Sequence, residues 1–299
     1  MTFLKGLALS LLSFLLFLSL SIFGIALTLN LTILNPGFAV SKVDKVDLSS
    51  LVKDSLDRQI LQDAPYILEV IDHTFNDLAP WIKKQTHDII NSTYDYLLEK
   101  KQNLNIEISL KPLKDSLKNN LRTAILHSPP PALAGEPQTE VDRYISEIHQ
   151  YIDEVIPPAF EFSESSLDSE ALSQLIAVKQ AISYVRLTYR VLIALIVLLI
   201  LGIIFLKREV KGTTRELGII FATYGALEYV GIVIFKHFIG TELFQFSAPP
   251  SLQEWLIQLF KDSVVPLEIF SLSLLIAGIA LIIISFVYKP RQSEVAETI

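Results

Sequence analysis

Cysteine is absent from all 299 residues. That single absence removes disulfides, thiolate metal sites and thiol nucleophiles together, so a folded domain in this chain has to rely on its own apolar core. In an exported domain, a lack of disulfides is more usual for a prokaryotic chain. The motifs of common chemistry are missing too: the sequence has no Gly-rich phosphate loop, no Gly-x-Ser-x-Gly elbow, no His-Glu-x-x-His helix and no calcium loop. No catalytic residue, cofactor or metal is therefore assigned, and the chain reads as a non-enzyme.

Histidine is scarce, at five residues. His73 precedes Asp77 by four positions and His149 precedes Asp153 by four, so each pair shares a helical face. Two such helices packed together offer two imidazoles and two carboxylates to a zinc-like ion. In an acidic segment, however, that spacing more often makes a surface pair worth roughly 0.2–0.5 kcal/mol. A metal site also needs convergent ligands, which spacing alone does not supply.

What the sequence has in abundance is apolar residues, 51% of the chain, with a mean hydropathy of +0.45. They concentrate in four unevenly spaced runs: Leu7 to Leu34, Val191 to Leu206, Leu217 to Phe235 and Val264 to Tyr288. At 1.5 Å per helical residue each is long enough, or nearly so, to cross a hydrocarbon layer of ~30 Å. The expected fold is mainly α: a four-span transmembrane helical bundle with a large, mainly helical extracytoplasmic domain, holding at most a minor β element, inserted between spans one and two. The corresponding division is a cytoplasmic N-terminus and first span over 1–34, the external domain over 35–185 and the second span over 186–207. A cytoplasmic turn over 208–216, the third span over 217–236, an outer loop over 237–265, the fourth span over 266–288 and a cytoplasmic tail over 289–299 complete it.

Charge sets the orientation. Lys5, then Lys207, Arg208, Lys211 and Arg215, then Lys289 and Arg291 flank the spans on one side, whereas the third-to-fourth loop offers only Lys236 and Lys261. Retention of Lys and Arg in the cytoplasm places both termini inside and residues 35–185 outside a plasma membrane. Gly37 and Ala39 resemble a signal-peptide cleavage site, but a signal core is usually 7–15 residues, and no charge interrupts Leu7 to Ser41. An uncleaved anchor fits better, with Asn35-Pro36-Gly37 breaking the helix.

The net charge of −7 is localised. Between Asn35 and Tyr189 stand 15 Lys and Arg against 23 Asp and Glu, and residues 123–189 hold Arg143, Lys179 and Arg186 against ten acids. Such a balance repels nucleic acid and anionic lipid surfaces from the external domain.

Period-three and period-four spacing predicts helices over Leu48–Ile60, from Tyr66 to Leu98 with an interruption or kink at Pro80, from Leu113 to Ile125, and from Val141 to Val155. Leu104, Ile106, Ile108 and Leu110 alternate with polar residues as in a strand, for which Phe160 and Phe162 are the candidate partner. From Asp168 neither proline nor glycine occurs until Gly202, which predicts one helix of about 40 residues running into span two. Such a helix would couple the external bundle to the membrane.

Two clusters stand out. In the outer loop, Leu252, Trp255, Leu256, Leu259 and Phe260 share one face after a capping-box spacing from Ser251 to Glu254. This face reads as a helix in the bilayer interface, with Trp255, Leu256, Leu259 and Phe260 as anchors, or else as a docking surface for the external domain. Inside the membrane, Glu228 lies about 10 Å below the outer end of span three, with Tyr224 one turn earlier. Gly218, Ala222, Gly225 and Ala226 form a small-residue strip beside it, and Glu268, Ser271, Gly278 and Ser285 fall along one side of span four. Arg186 and Arg190 open span two. These positions predict an Arg190–Glu268 contact with Glu228 lower in the same space. Glu228 then serves either as a neutral acid hydrogen-bonded to Tyr224 or a serine, or as a proton or cation site.

The expected partners are the lipid bilayer and another membrane or envelope protein, with no nucleic acid. The reading that follows is a binding, sensing or scaffold subunit, and its rival is an oligomeric transporter or channel.

Overall fold

The computed structural model describes residues 2–46, 66–130, 133–239 and 250–287. The helix expected over Leu48–Ile60, the tail over 289–299 with Lys289 and Arg291, and the Ser251 side chain of the capping box lie outside what is described. The protein is mainly helical and separates into two compact units. One comprises residues 1–34, 183–244 and 260–299, and the other residues 35–182 and 245–259.

The first unit contains α1 (Thr2–Leu31), most of the apolar part of α6 (Ser169–Lys207), α7 (Val210–Ile239) and α9 (Val265–Val287). All four helices are long and apolar enough to cross a membrane. Their packing has the polarity expected of a hydrocarbon solvent. In α9, Ser271, Gly278 and Ser285 are buried at intervals of seven, whereas Ile269, Ile276 and Ile283 at the same interval face outward, Ile276 being 61% exposed. The small and polar side of this helix is its inside. Its two buried hydroxyls are satisfied within the helix, Ser271 Oγ donating to the Glu268 carbonyl at 3.0 Å and Ser285 Oγ to the Ile282 carbonyl at 2.6 Å.

The small face of α9 lies directly on the small face of α7, antiparallel to it. A Cβ built on Gly225 would stand 2.5 Å from both the Ser271 carbonyl oxygen and the Leu275 nitrogen. One on Gly278 would stand 2.7 Å from the Gly218 carbonyl oxygen and would also collide with the Ala222 nitrogen. Only glycine fits where two backbones touch in this way, and between apolar helices in lipid such van der Waals packing supplies the attraction. Around the pair, Leu16 and Leu20 of α1, Leu199 and Ile203 of α6, and Leu217, Ile220 and Tyr224 of α7 form the buried core.

In the second unit, α1's successor begins anew. Asn35 accepts a hydrogen bond from the Gly37 amide at 2.9 Å, and Pro36 takes the first position of α2 (Pro36–Val43). An Asx cap before an N1 proline is a strong helix start, so the Asn-Pro-Gly triplet ends one helix and opens another. The next helix, α3 (Tyr66–Leu97), runs through Pro80 as a single element. Proline leaves one ladder bond unmade there without ending the helix.

Strand β1 (Asn105–Ser109) pairs antiparallel with β2 (Ala159–Ser163), setting Ile106 opposite Phe162 and Ile108 opposite Phe160. Between the strands lie α4 (Lys111–His127) and α5 (Gln138–Val155), whose inner faces meet at Ile125, Val141 and Ile145. After β2 and a short 3-10 turn, Asp168 Oδ1 accepts from the Ala171 amide at 2.7 Å and caps α6. This helix runs 39 residues without a break, about 58 Å at 1.5 Å per residue. Pro250 then starts α8 (Pro250–Ser263).

Replacing Gly278 with Val is expected to destabilise the purified protein by about 1–3 kcal/mol, the usual cost of overpacking. Ile276→Val, two residues earlier on the outward face, is expected to stay within about 0.5 kcal/mol of the parent. Denaturant unfolding in detergent measures both, and equal losses at the two positions would show that α7 and α9 do not touch at Gly278.

Candidate functional site

Two ion pairs of the first unit lie at the two ends of α7. At its C-terminal end, the Lys236 ammonium pairs with the Glu268 carboxylate. The antiparallel crossing makes this pairing natural, because it sets the last turn of α7 beside the first turn of α9. A cation at a helix C-terminus and an anion at an N-terminus each complement the local dipole. Both side chains are a little over a quarter exposed, Lys236 at 27% and Glu268 at 28%.

The expected contact between Arg190 and Glu268 is therefore not made. Similar depth in the membrane does not imply a shared face. The buried stripe of α6 is Leu192, Leu199 and Ile203, and Arg190, two residues before it, turns to the opposite and exposed side. Arg186, one turn earlier, is half-buried.

At the other end of α7, Glu216 joins two neighbours. It accepts from Ser13 Oγ of α1 at 3.0 Å and pairs with Lys207 Nζ of α6 at 3.6 Å. Neither Glu216 nor Ser13 was singled out in the sequence, although Glu216 follows the cluster of Lys207, Arg208, Lys211 and Arg215.

Between the two charged ends lies an aromatic chain. The Tyr224 ring meets Phe17 edge-on at 5.7 Å and Phe270 at 6.1 Å, Phe270 meets Phe23 at 5.5 Å, and Phe23 stacks on Tyr189 at 5.4 Å. These five residues come from α1, α6, α7 and α9 and tie all four helices together. The Tyr224 hydroxyl points at Gly24, where a Cβ would lie only 2.6 Å from its oxygen. This buried hydroxyl has no hydrogen-bond partner among the described residues. The expected bond from Tyr224 to Glu228 is thus absent, and Ser271 is committed to its own helix at the Glu268 carbonyl. Glu228 itself is half-buried one turn along α7.

In the second unit, the outer-loop helix has a specific attachment. Trp255 Nε1 donates to the Lys42 carbonyl oxygen at 2.9 Å. That carbonyl belongs to the last turn of α2, where helical geometry leaves acceptors incompletely used. Two residues on, Asp44 meets His87 Nε2 at 2.8 Å and Lys83 Nζ at 3.0 Å, both from α3. Hydrogen bonding from His87, and secondarily from Lys83, holds the Asp44 carboxyl below the usual aspartate range. The end of α2 is consequently pinned from two sides. The structure thus gives Trp255 a protein partner at the end of α2. Leu256 and Leu259 are half-buried, while Phe260 is 40% exposed.

The histidine–acid pairs are engaged separately. Asp153 is held by Lys118 at 2.6 Å and Lys114 at 3.5 Å, and His149 Nε2 lies 3.1 Å from the Lys118 carbonyl oxygen. The neighbouring lysines keep the Asp153 carboxyl below its ordinary value, Lys118 first. Asp77 accepts from Asn120 Nδ2 at 3.0 Å. Two ammonium groups beside Asp153 disfavour a metal cation there. Among the described residues no three His, Asp or Glu side chains converge as a metal site.

Comparison with protein families, curated proteins and solved structures returned no match.

Lys236→Ala is expected to destabilise the protein by about 1–2 kcal/mol, between the worth of an exposed pair and that of a buried one. The exchange Lys236→Glu with Glu268→Lys should recover part of that loss, though not all, since it opposes both helix dipoles. A double-mutant cycle in detergent provides the check, and a coupling energy near zero would remove the pair from the account.

Proposed function

We propose that this protein is a non-enzymatic, membrane-anchored binding or scaffold subunit. It sits in a plasma membrane with both termini inside, and residues 35–185 recruit another membrane or envelope protein on the outer side. The observation carrying this reading is apolar surface left open on the second unit. Tyr151 and Val155 are one turn apart on α5 and are 65% and 57% exposed, while Phe160 in β2 and Ile176 and Val178 in α6 are also exposed. Single exposed apolar residues are ordinary, whereas aromatic and aliphatic groups repeated along helix faces suit a partner's surface.

Orientation rests on the distribution of Lys and Arg around the spans. By the sequence division, the turn over 208–216 and the tail over 289–299 lie on the inner side.

The rival reading, an oligomeric transporter or channel using Glu228 as a proton or cation site, has weaker support. The space between the four helices is filled by Leu16, Leu20, Leu199, Ile203, Leu217, Ile220 and Tyr224. Among the described residues, Glu228 has no ion-pair partner, and a transport route needs a chain of polar groups.

A photo-crosslinking amino acid at Tyr151 or Ile176 of the full-length protein, expressed in its own membranes, tests the proposal. One discrete protein adduct is expected at these positions and none at Asp142, which lies on the charged face of α5. Adducts that are absent, or equally abundant at Asp142, would refute recruitment through this surface.

A further inference from the structure

At the end of the first unit where α1 begins and α6 ends, an open groove of about 690 Å³ lies between the two helices. Its size falls within the ~300–1,000 Å³ of small-molecule sites. The walls are apolar, formed chiefly by Phe3 and Leu4 of α1 and by Phe205 and Leu206 of α6. Its ionisable lining residues are Lys5 of α1 and Arg208 just past the end of α6, and no carboxylate lines it among the described residues.

These two cations differ from their neighbour. Lys207 is neutralised by Glu216 at 3.6 Å. Lys5 and Arg208 have no carboxylate partner among the described residues. The Arg208 guanidinium instead lies over the Phe205 ring, 5.0 Å from its centroid, directly on the apolar wall. The backbone contributes to this placement. Arg208 adopts φ +53°, the left-handed region uncommon outside glycine, while its amide still closes the helix on the Ile204 carbonyl at 3.0 Å.

A ligand satisfying both features is itself amphiphilic. An anionic head answers the two cations, one in α1 and one at the end of α6, and an acyl chain answers the apolar walls. A free inorganic anion would leave the walls wet, and an uncharged lipid would leave the cations uncompensated. Basic pockets between membrane helices hold anionic headgroups for the same reason. We infer that this groove binds an anionic phospholipid, with its phosphate between Lys5 and Arg208 and one acyl chain along Phe3, Leu4, Phe205 and Leu206. The inference is independent of the scaffold reading and needs only that the four apolar helices lie in a bilayer.

The test uses the full-length protein reconstituted with equal amounts of phosphatidylglycerol and phosphatidylcholine, with retained lipid identified by native mass spectrometry. The parent should retain phosphatidylglycerol preferentially, and added phosphatidylglycerol should raise its Tm where added inorganic phosphate does not. Lys5→Gln with Arg208→Gln should lower that preference on the order of tenfold. Lys211→Gln with Arg215→Gln removes the same charge from the start of α7 and should leave the preference within about twofold. Leu4→Trp, which fills the groove and keeps both cations, should displace the lipid and covers the case in which the charge variant fails to fold. Equal retention of the two lipids by the parent, undiminished retention by either groove variant, an equal loss in the Lys211 and Arg215 control, or the same Tm shift from phosphate alone would each overturn the inference.

Discussion

Everything in the first unit depends on the solvent its helices require. A chain that buries Ser271, Gly278 and Ser285 while turning Ile269, Ile276 and Ile283 outward is inverted for water and ordinary for hydrocarbon. In lipid, apolar contact between helices brings no hydrophobic gain, because the acyl chains outside are as apolar as leucine. Helices then associate where their backbones approach closely. Gly218, Gly225 and Gly278 are the residues that permit it.

From that crossing, the other features of the unit follow in order. Antiparallel contact of α7 with α9 brings Lys236 beside Glu268 at one end, where charge, dipole and depth agree. At the other end Glu216 links α7 to α1 and α6 through Ser13 and Lys207. Phe17, Phe23, Tyr189, Tyr224 and Phe270 fill the middle. The ion pairs of this unit thus lie at the two ends of α7, with Glu228 and the Tyr224 hydroxyl between them. The second unit differs in kind: its salt bridges are surface pairs, its acids sit beside lysines, and its helix ends are capped by Asn35 and Asp168.

Much of this organisation was legible in the sequence, because the signals are periodic and local. Four apolar runs, the unbroken stretch after Asp168 and the alternation around Ile106 each follow from backbone geometry acting on neighbouring residues. Even the β1–β2 pairing was accessible, since Phe160 and Phe162 repeat the same period. The small-residue faces of α7 and α9 were also readable, because a strip of Gly, Ala and Ser in an apolar helix has few other uses.

What the sequence left illegible depends on long-range phase. Depth suggested Arg190 for Glu268, but helical phase turned Arg190 outward and delivered Lys236. Pro80 offered a break or a kink, and a 32-residue helix absorbed it. Trp255 carried an amphipathic pattern that bilayer and protein satisfy equally, and only three-dimensional placement supplies the Lys42 carbonyl. The aromatic chain had no periodic signature, because its five members are spread over four helices far apart in the sequence.

The absence of cysteine makes one measurement especially clean. Single substitutions Ser165→Cys, in the second unit, and Thr214→Cys, near the start of α7, would be treated in intact cells with a membrane-impermeant maleimide. A membrane-embedded first unit with residues 35–185 outside predicts labelling at position 165 and protection at position 214 until the membrane is permeabilised. Labelling of 214 but not 165, or of both in protein that fractionates without detergent, would contradict it.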